Sequence, residues 1–314
     1  MANMITDEQV RAALPWRTAV ESLRAGFAAG STTTVPQRHH HAMGETEDAP
    51  TLLLMPAWST SYVGIKIVAV FPTNRGTDVP TINGNYLLMD GATGVPLAVL
   101  DGGELTARRT AAASVLAATL LARPASSRLV VVGAGRLAGN LARAYAEHFA
   151  LTDIAVWNHH PAGAERLAAE LAGDDLPASA TTELPSAVAA ADIVTVATLS
   201  SEPVVRGAWL APRTHLDLVG GFTPTMREAD DDAIRRAEVF VDTMTGALKE
   251  AGDIVQPLQS GVLSVDDIRG DLFALCAAPS SSTRGPGAIT LFKSVGHALE
   301  DLVAAATVYE AVRR

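Results

Sequence analysis

Three cations in the first third of the chain are of the kind that grip a carboxylate. Lys66 lies inside the apolar run YVGIKIVAV, where an unpartnered ammonium is costly, so an anion or a carbonyl is expected beside it. Arg38 follows TTTVPQ and precedes His39, His40 and His41. Arg109 lies beside Arg108 and Thr110 in an alanine-rich segment. A guanidinium fork matches the two oxygens of a carboxylate. Converging on one pocket, the three would seat a carboxylate substrate; taken singly, each could equally be half of a structural ion pair. The three histidines read as loop residues rather than metal ligands. Neighbours in extended chain point to opposite sides, and no carboxylate or cysteine stands at ligand spacing.

A second group of residues has the spacing that holds a dinucleotide. VVVGAGRLAG carries Gly133, Gly135 and Ala138 between a strand and a helix. Gly133 permits the tight turn, Gly135 lets a pyrophosphate approach the backbone, and Ala138 lets helix and strand pack closely. The following helix N-terminus offers free N–H groups to phosphates. The next strand ends in Asn158, His159 and His160 instead of the acid that binds ribose hydroxyls in an NAD site. Arg136 and His159 could attract a 2′-phosphate. NADPH is therefore expected over NADH, with dual use open and a plain solvated turn as the alternative.

These residues need a scaffold. The chain has 314 residues, enough for two domains, with 48% hydrophobic and 18% charged residues, so packed cores are expected. A formal charge of -10 without basic runs disfavours nucleic acid or an anionic membrane as partner. The one cysteine, Cys276, excludes an internal disulfide and reads as a core residue. The acidic N-terminus and short apolar runs suggest a cytoplasmic protein. Helices are expected over Thr6–Leu14 and Trp16–Ala29, then strands at TLLLMPAW, YVGIKIVAVF, NYLLMD and VPLAVLD. A helix of about five turns follows, ended by Pro124. RLVVVG, IAVW, DIVTVAT, THLDLVG, EVFVD and ITLF then read as strands, with helices at RLAGNLARAYAEHF and PAGAERLAAELA. That alternation implies a doubly wound parallel sheet. The tail, SVGHALEDLVAAATVYEAVRR, reads as a long amphipathic helix returning to the N-terminal domain.

The run KIVAVFP, VPTINGNYLLMDGATGVPLAVLDGGELTARRTAAAS, VVGAGRLA, DIVTVATLS, HLDLVGGFTP, MREADDD, VFVD and TLFKSVGHALEDL resembles the ornithine cyclodeaminase/mu-crystallin family over nearly the whole chain. The resemblance implies an α/β fold: a Rossmann-type domain, residues 119–293, inserted in an α+β substrate-binding and dimerisation domain, residues 1–118 plus 294–314. It also implies a homodimer. Arg38, Lys66 and Arg109 would be the substrate-carboxylate cations, with catalytic roles for the last two. Met55 and Thr81 would line the substrate pocket. Thr110 and the turn Gly133, Ala134, Gly135, Arg136 and Leu137 would hold cofactor phosphates. Asn158, His159 and Thr198 would also meet the cofactor, with Val219, Gly220 and Lys293 near the nicotinamide.

Phe222 then separates two chemistries. Ornithine cyclodeaminases carry an aspartate in the corresponding Gly-Gly-Asp segment, where it orients a distal ammonium and takes its proton. Phe222 does neither. Leu53 likewise replaces an acid carried by those enzymes. The resemblance implies an apolar pocket and an NAD(P)H-dependent reductase of a cyclic imino acid, Δ1-pyrroline-2-carboxylate or Δ1-piperideine-2-carboxylate. Ornithine cyclodeamination, an alanine- or ketimine-type dehydrogenase and a non-catalytic binding protein are the alternatives.

Overall fold

The computed structural model describes residues 2–46, 49–74, 76–278, 285 and 287–313. In chain order it begins with β1 (Asn3–Ile5), α1 (Asp7–Ala13), α2 (Trp16–Ala29), β2 (His39–Ala42), β3 (Thr51–Trp58), β4 (Tyr62–Val70), β5 (Ile82–Asp90), β6 (Pro96–Asp101) and α3 (Gly102–Leu121). The middle of the chain forms β7 (Arg128–Val132), α4 (Arg136–His148), β8 (Asp153–Trp157), α5 (Pro161–Gly173), β9 (Ala178–Ala180), α6 (Leu184–Ala190), β10 (Ile193–Val196) and β11 (His215–Leu218). After these come α7 (Asp231–Arg236), β12 (Ala237–Val241), α8 (Met244–Glu250), α9 (Gly252–Ser260), β13 (Ile268–Asp271), α10 (Leu272–Ala277), β14 (Ile289–Lys293) and α11 (Ala298–Val312). They divide into a first unit, residues 1–109 with 298–314, and a second unit, residues 110–297. The boundaries expected from the sequence, 118/119 and 293/294, lie within about nine residues of these.

Among the described residues, the first unit holds a six-stranded sheet ordered β1-β6-β5-β4-β3-β2. β1 runs parallel to β6, and the remaining pairs are antiparallel. Turn chemistry sets the register of the β5–β6 hairpin. Asp90 Oδ1 accepts from the backbone of Ala92 and Thr93 and from the Thr93 hydroxyl, and Gly94 adopts φ +70°. Two helices cover the unit. α1 begins with a capping box, in which the Gln9 amide donates to Thr6 Oγ1 and the Thr6 amide to Gln9 Oε1. α2 buries Trp16, Ala19, Val20, Leu23 and Phe27 at the three-and-four spacing of one helix face.

Two expectations fail in this unit. The segment of His39 to His41 is a strand and not a loop. It pairs antiparallel with Leu52 to Leu54, so tertiary pairing overrides a sequence with little strand character. Its rings alternate as extended chain requires: His39 and His41 stack with centroids 6.1 Å apart. Among the described residues no group of His, Cys, Asp or Glu side chains could hold a metal. Helix α11 is also not amphipathic. Ala298 through Leu302 are all buried, because α1 and α2 pack on the helix as well as β3, β4 and β5. The acids Glu300 and Asp301 are enclosed with the rest.

The second unit is a doubly wound sheet. Its eight strands among the described residues are ordered β13-β12-β14-β11-β10-β7-β8-β9, and all are parallel. Central strands read as unbroken apolar runs, since helices cover both faces. Leu129 to Val132, Ile193, Val194 and Val196 are buried, as are Leu216 and Leu218. The chain lays down β7, β8 and β9 in one direction, then returns to place β10, β11 and β14 on the other side of β7. The reversal between β7 and β10 is the switch point at which such sheets bind ligands, beyond the carboxyl ends of the strands. The edge strands β9 and β13 and helices α6, α8, α9 and α10 escaped the sequence reading. The strands are only three and four residues long.

Candidate active site

In the first unit, β4 carries Lys66 at its centre, with Met55 of β3 directly opposite on one side and Tyr86 of β5 on the other. Paired residues of adjacent strands share a face, so the three side chains form a row. Lys66 is 3% exposed. Its partner is an acid of α11: the ammonium lies 3.0 Å from Asp301 Oδ1 and 2.9 Å from Oδ2. Arg109, carried in by α3, donates from Nε to Asp301 Oδ1 at 2.9 Å and from Nη1 to Glu300 Oε2 at 2.8 Å. One carboxylate thus orders both cations, and a second fixes the fork of Arg109.

The electrostatics of this cluster are tight. Burial, then the neighbouring Arg109, bring the Lys66 pKa down to about 8, with Arg38 adding to the effect and Asp301 opposing it. Burial opposes ionisation of Asp301, yet Arg109 and Lys66 hold its pKa below the usual carboxylate value. Arg38, half-buried just ahead of β2, is therefore close enough to sense Lys66. An incoming anion would relieve the mutual repulsion of the three cations. Tyr86 is fully buried, and its hydroxyl has no hydrogen-bond partner among the described residues. The hydroxyl lies over Gly64, where an added Cβ would stand 2.1 Å away. Burial, then Asp301, push its pKa well above the ordinary tyrosine value.

In the second unit the glycine turn joins β7 to α4. Gly133 has φ +114°, and a Cβ there would come within 2.5 Å of the Ala197 carbonyl, so only glycine fits without strain. Gly135 is the N-cap of α4, with no side-chain cap, and a Cβ on it would meet nothing within 4 Å. Exposed, uncapped N–H groups beside open space are what a pyrophosphate needs, so the turn fits a dinucleotide. Arg166 of α5 donates to the Ala134 carbonyl at 2.7 Å, adding a cation beside Arg136. At the end of β8, Asn158 Nδ2 donates to the His160 carbonyl, and His159 and His160 pack edge to face.

Past the switch point, a buried carboxylate draws in the ends of β10 and β11. Glu228 Oε1 accepts from Thr198 N at 2.8 Å and from Thr198 Oγ1 at 2.9 Å. Its Oε2 accepts from Gly220 N at 2.8 Å and Gly221 N at 3.1 Å. Beneath it, Asp253 Oδ1 accepts from the amides of Glu228 and Ala229, and Asp253 Oδ2 pairs with the Lys293 ammonium at 3.0 Å. Lys293 Nζ is also 3.6 Å from Glu228 Oε2. All three ionisable side chains are 0% exposed. Burial raises the Glu228 pKa above the usual carboxylate value, and Lys293 pulls against it.

Arg38, Met55, Lys66 and Arg109 come together in the first unit. Thr81 stands just ahead of β5, where its carbonyl accepts from the Phe71 amide. Gly133, Ala134, Gly135, Arg136 and Leu137 form the turn, and Asn158 and His159 end the adjacent strand. Thr198, Val219 and Gly220 lie at the ends of β10 and β11. Thr110 is the first residue of the second unit, half-buried on α3. Phe222 is 46% exposed. Lys293, expected to face the cofactor, is enclosed beneath Gly221, 3.3 Å from where a Cβ on that glycine would stand. The sequence reading missed Glu300, Asp301, Glu228 and Asp253. The signal was an acid pair inside the apolar run HALEDL, with Glu228 in READ and Asp253 in GDI.

Comparison with known proteins identifies the family. The profile of the ornithine cyclodeaminase/mu-crystallin family matches residues 2–314. The Δ1-pyrroline-2-carboxylate reductase of Paracoccus denitrificans is 37% identical over 297 residues, covering 94% of this chain and 92% of that protein. The structure of the Thermococcus litoralis Δ1-pyrroline-2-carboxylate reductase, in complex with NADH and L-proline, superposes with a TM-score of 0.93. It is 30% identical and covers 99% of this chain and 97% of its own. An archaeal alanine dehydrogenase dimer with bound NAD gives a TM-score of 0.91 at 27% identity, over 99% of this chain and 96% of its own. With a matching profile end to end and the same architecture, the chain belongs to the ornithine cyclodeaminase/mu-crystallin family.

Proposed function

We propose that this protein is a nicotinamide-dependent reductase of cyclic imino acids, converting Δ1-pyrroline-2-carboxylate or Δ1-piperideine-2-carboxylate to L-proline or L-pipecolate. The observation that carries the reading is the convergence of Lys66, Arg109 and Arg38, two of them locked by buried acids of α11 and walled by Met55. A reduced nicotinamide, when bound, supplies hydride to C2 of the imine. The protein's own part is to seat and orient. Arg38 and Arg109 grip the substrate carboxylate, and Asp301 holds Lys66 where its ammonium hydrogen-bonds that group and relays a proton toward the ring nitrogen. Preset orientation of this kind supplies much of the acceleration. Phe222 follows the Gly220–Gly221 turn at the position where ornithine cyclodeaminases carry an aspartate. That disfavours ornithine as the substrate.

The glycine turn and α4 hold the pyrophosphate in this reading. The turn after β8 carries no acid to repel a 2′-phosphate, and Arg136, Arg166 and His159 supply positive charge nearby, which supports NADPH over NADH. The working form is read as a homodimer in the cytoplasm; among the described residues no helix is long and apolar enough to cross a membrane. The test is an NADPH-oxidation screen over pyrroline-2-carboxylate, piperideine-2-carboxylate, and pyruvate with methylamine. The cyclic imines should turn over fastest. Turnover confined to pyruvate with amine would replace the reading with an N-alkyl-amino-acid dehydrogenase.

A further inference from the structure

We propose that Glu228 is a positioning residue for the nicotinamide half of the dinucleotide: its buried carboxylate ties the loop after β10 to the Gly220–Gly221 turn after β11. The inference rests on the nicotinamide-dependent reading above and adds to it how the site is kept in shape. Three observations carry it.

First, the four donors that reach Glu228 come from two separate loops. Thr198 supplies an amide and a hydroxyl to Oε1, and Gly220 and Gly221 supply amides to Oε2. Each oxygen faces donors alone, which only a carboxylate satisfies at both ends. Second, the support beneath is preset. Asp253 accepts from the amides of Glu228 and Ala229 and pairs with Lys293, which rises from the end of β14. The carboxylate is therefore fixed from strands and helix alike. Third, there is no slack between the loops. A Cβ on Gly220 would sit 1.9 Å from the Thr198 carbonyl and 2.6 Å from Glu228 Oε1. The two loops are packed backbone to backbone, and neither moves without the other.

Their place in the sheet gives this rigidity a use. The glycine turn after β7 takes the pyrophosphate, and the strands on the β8 side serve the adenosine half. The ends of β10 and β11, across the switch point, are left to the nicotinamide half. Loops welded there present a fixed backbone to the ring, whereas loops free to shift would blur the position of its reacting carbon.

The experiment compares two probes, NADH and ADP-ribose, the second of which lacks the nicotinamide. Binding is followed by nucleotide fluorescence for NADH and by calorimetry for ADP-ribose. Glu228→Gln keeps the shape but sets an NH2 against two amides or against Thr198. NADH affinity should fall about tenfold or more while ADP-ribose affinity stays within about twofold. A role in packing alone would weaken both probes or neither, and either result overturns the proposal. Should that variant fail to fold, Thr198→Val removes one donor without changing volume. It should weaken NADH about threefold and spare ADP-ribose; equal effects on both would overturn the proposal as well. Wild-type protein that binds neither probe, and does not bind NADPH either, would instead remove the nicotinamide reading itself.

Discussion

At the scale of single residues, Lys66 makes the site pH-sensitive. Burial first, and Arg109 second, lower its pKa from 10.5 to about 8. It is cationic below that value and loses its charge as pH rises through it. Since kcat/KM reports groups of the free enzyme, kcat/KM for the imine should fall above about pH 8. Asp301→Asn removes the anion that raises Lys66, so the alkaline limb should move to lower pH; Lys66→Arg should carry it beyond the measurable range. Titration of the substrate is common to all three proteins, so the displacement between their profiles is the reading. Coincident limbs would remove Lys66 from the account. Arg109→Met should depress kcat/KM heavily and also withdraw the guanidinium that binds Glu300 and shares Asp301 with Lys66. Breaking a buried ion pair by removing one partner costs roughly 3–5 kcal/mol, visible as a lower urea midpoint. Adding Glu300→Gln should recover part of that loss, and no recovery would mean that the pair is not coupled as the distances indicate. The cations were legible in the sequence because a lysine in an apolar strand demands explanation. Their anions were not, since Glu300 and Asp301 lie more than 190 positions away from Arg109 and only the fold shows that α11 meets β4.

At the scale of elements, the β7–α4 turn separates two uses of glycine. Gly133 has a left-handed backbone and a carbonyl at 2.5 Å from any Cβ, so Gly133→Ala should destabilise the unit by about 1–3 kcal/mol. Gly135 has an extended backbone and open space, so Gly135→Ala should leave the thermal midpoint unchanged. The new methyl would fill the approach of the pyrophosphate and raise the nucleotide Kd at least about tenfold. Loss of stability without loss of binding in the Gly135 variant would place the dinucleotide elsewhere. This turn was readable because three spaced small residues between a strand and a helix have one common use. Helix α11 was misread as amphipathic although its position was right. Its sequence is apolar nearly all round, and what buries its first turns on every side is packing contributed by elements from the other end of the chain. The histidine strand β2 was missed for a related reason: its partner, Leu52 to Leu54, decides its conformation, not its own residues.

At the scale of the whole molecule, the order of motifs made the architecture legible: strands, a long helix, alternating strands and helices, then a returning tail. The doubly wound sheet follows from the alternation, and the interrupted first unit follows from the tail. Short edge elements and the acids that brace each site were invisible, because they are defined by what they touch. The account makes the protein a reductase of a flat imino acid and not a deaminase of a diamino acid. The measurement that tests this most directly follows one preparation of the full chain with two substrates. Δ1-Pyrroline-2-carboxylate with reduced nucleotide should yield L-proline, with nucleotide oxidised in equal amount. L-Ornithine with oxidised nucleotide should release no ammonia at a comparable rate. Ammonia and proline from ornithine, with the imine left unreduced, would contradict the account.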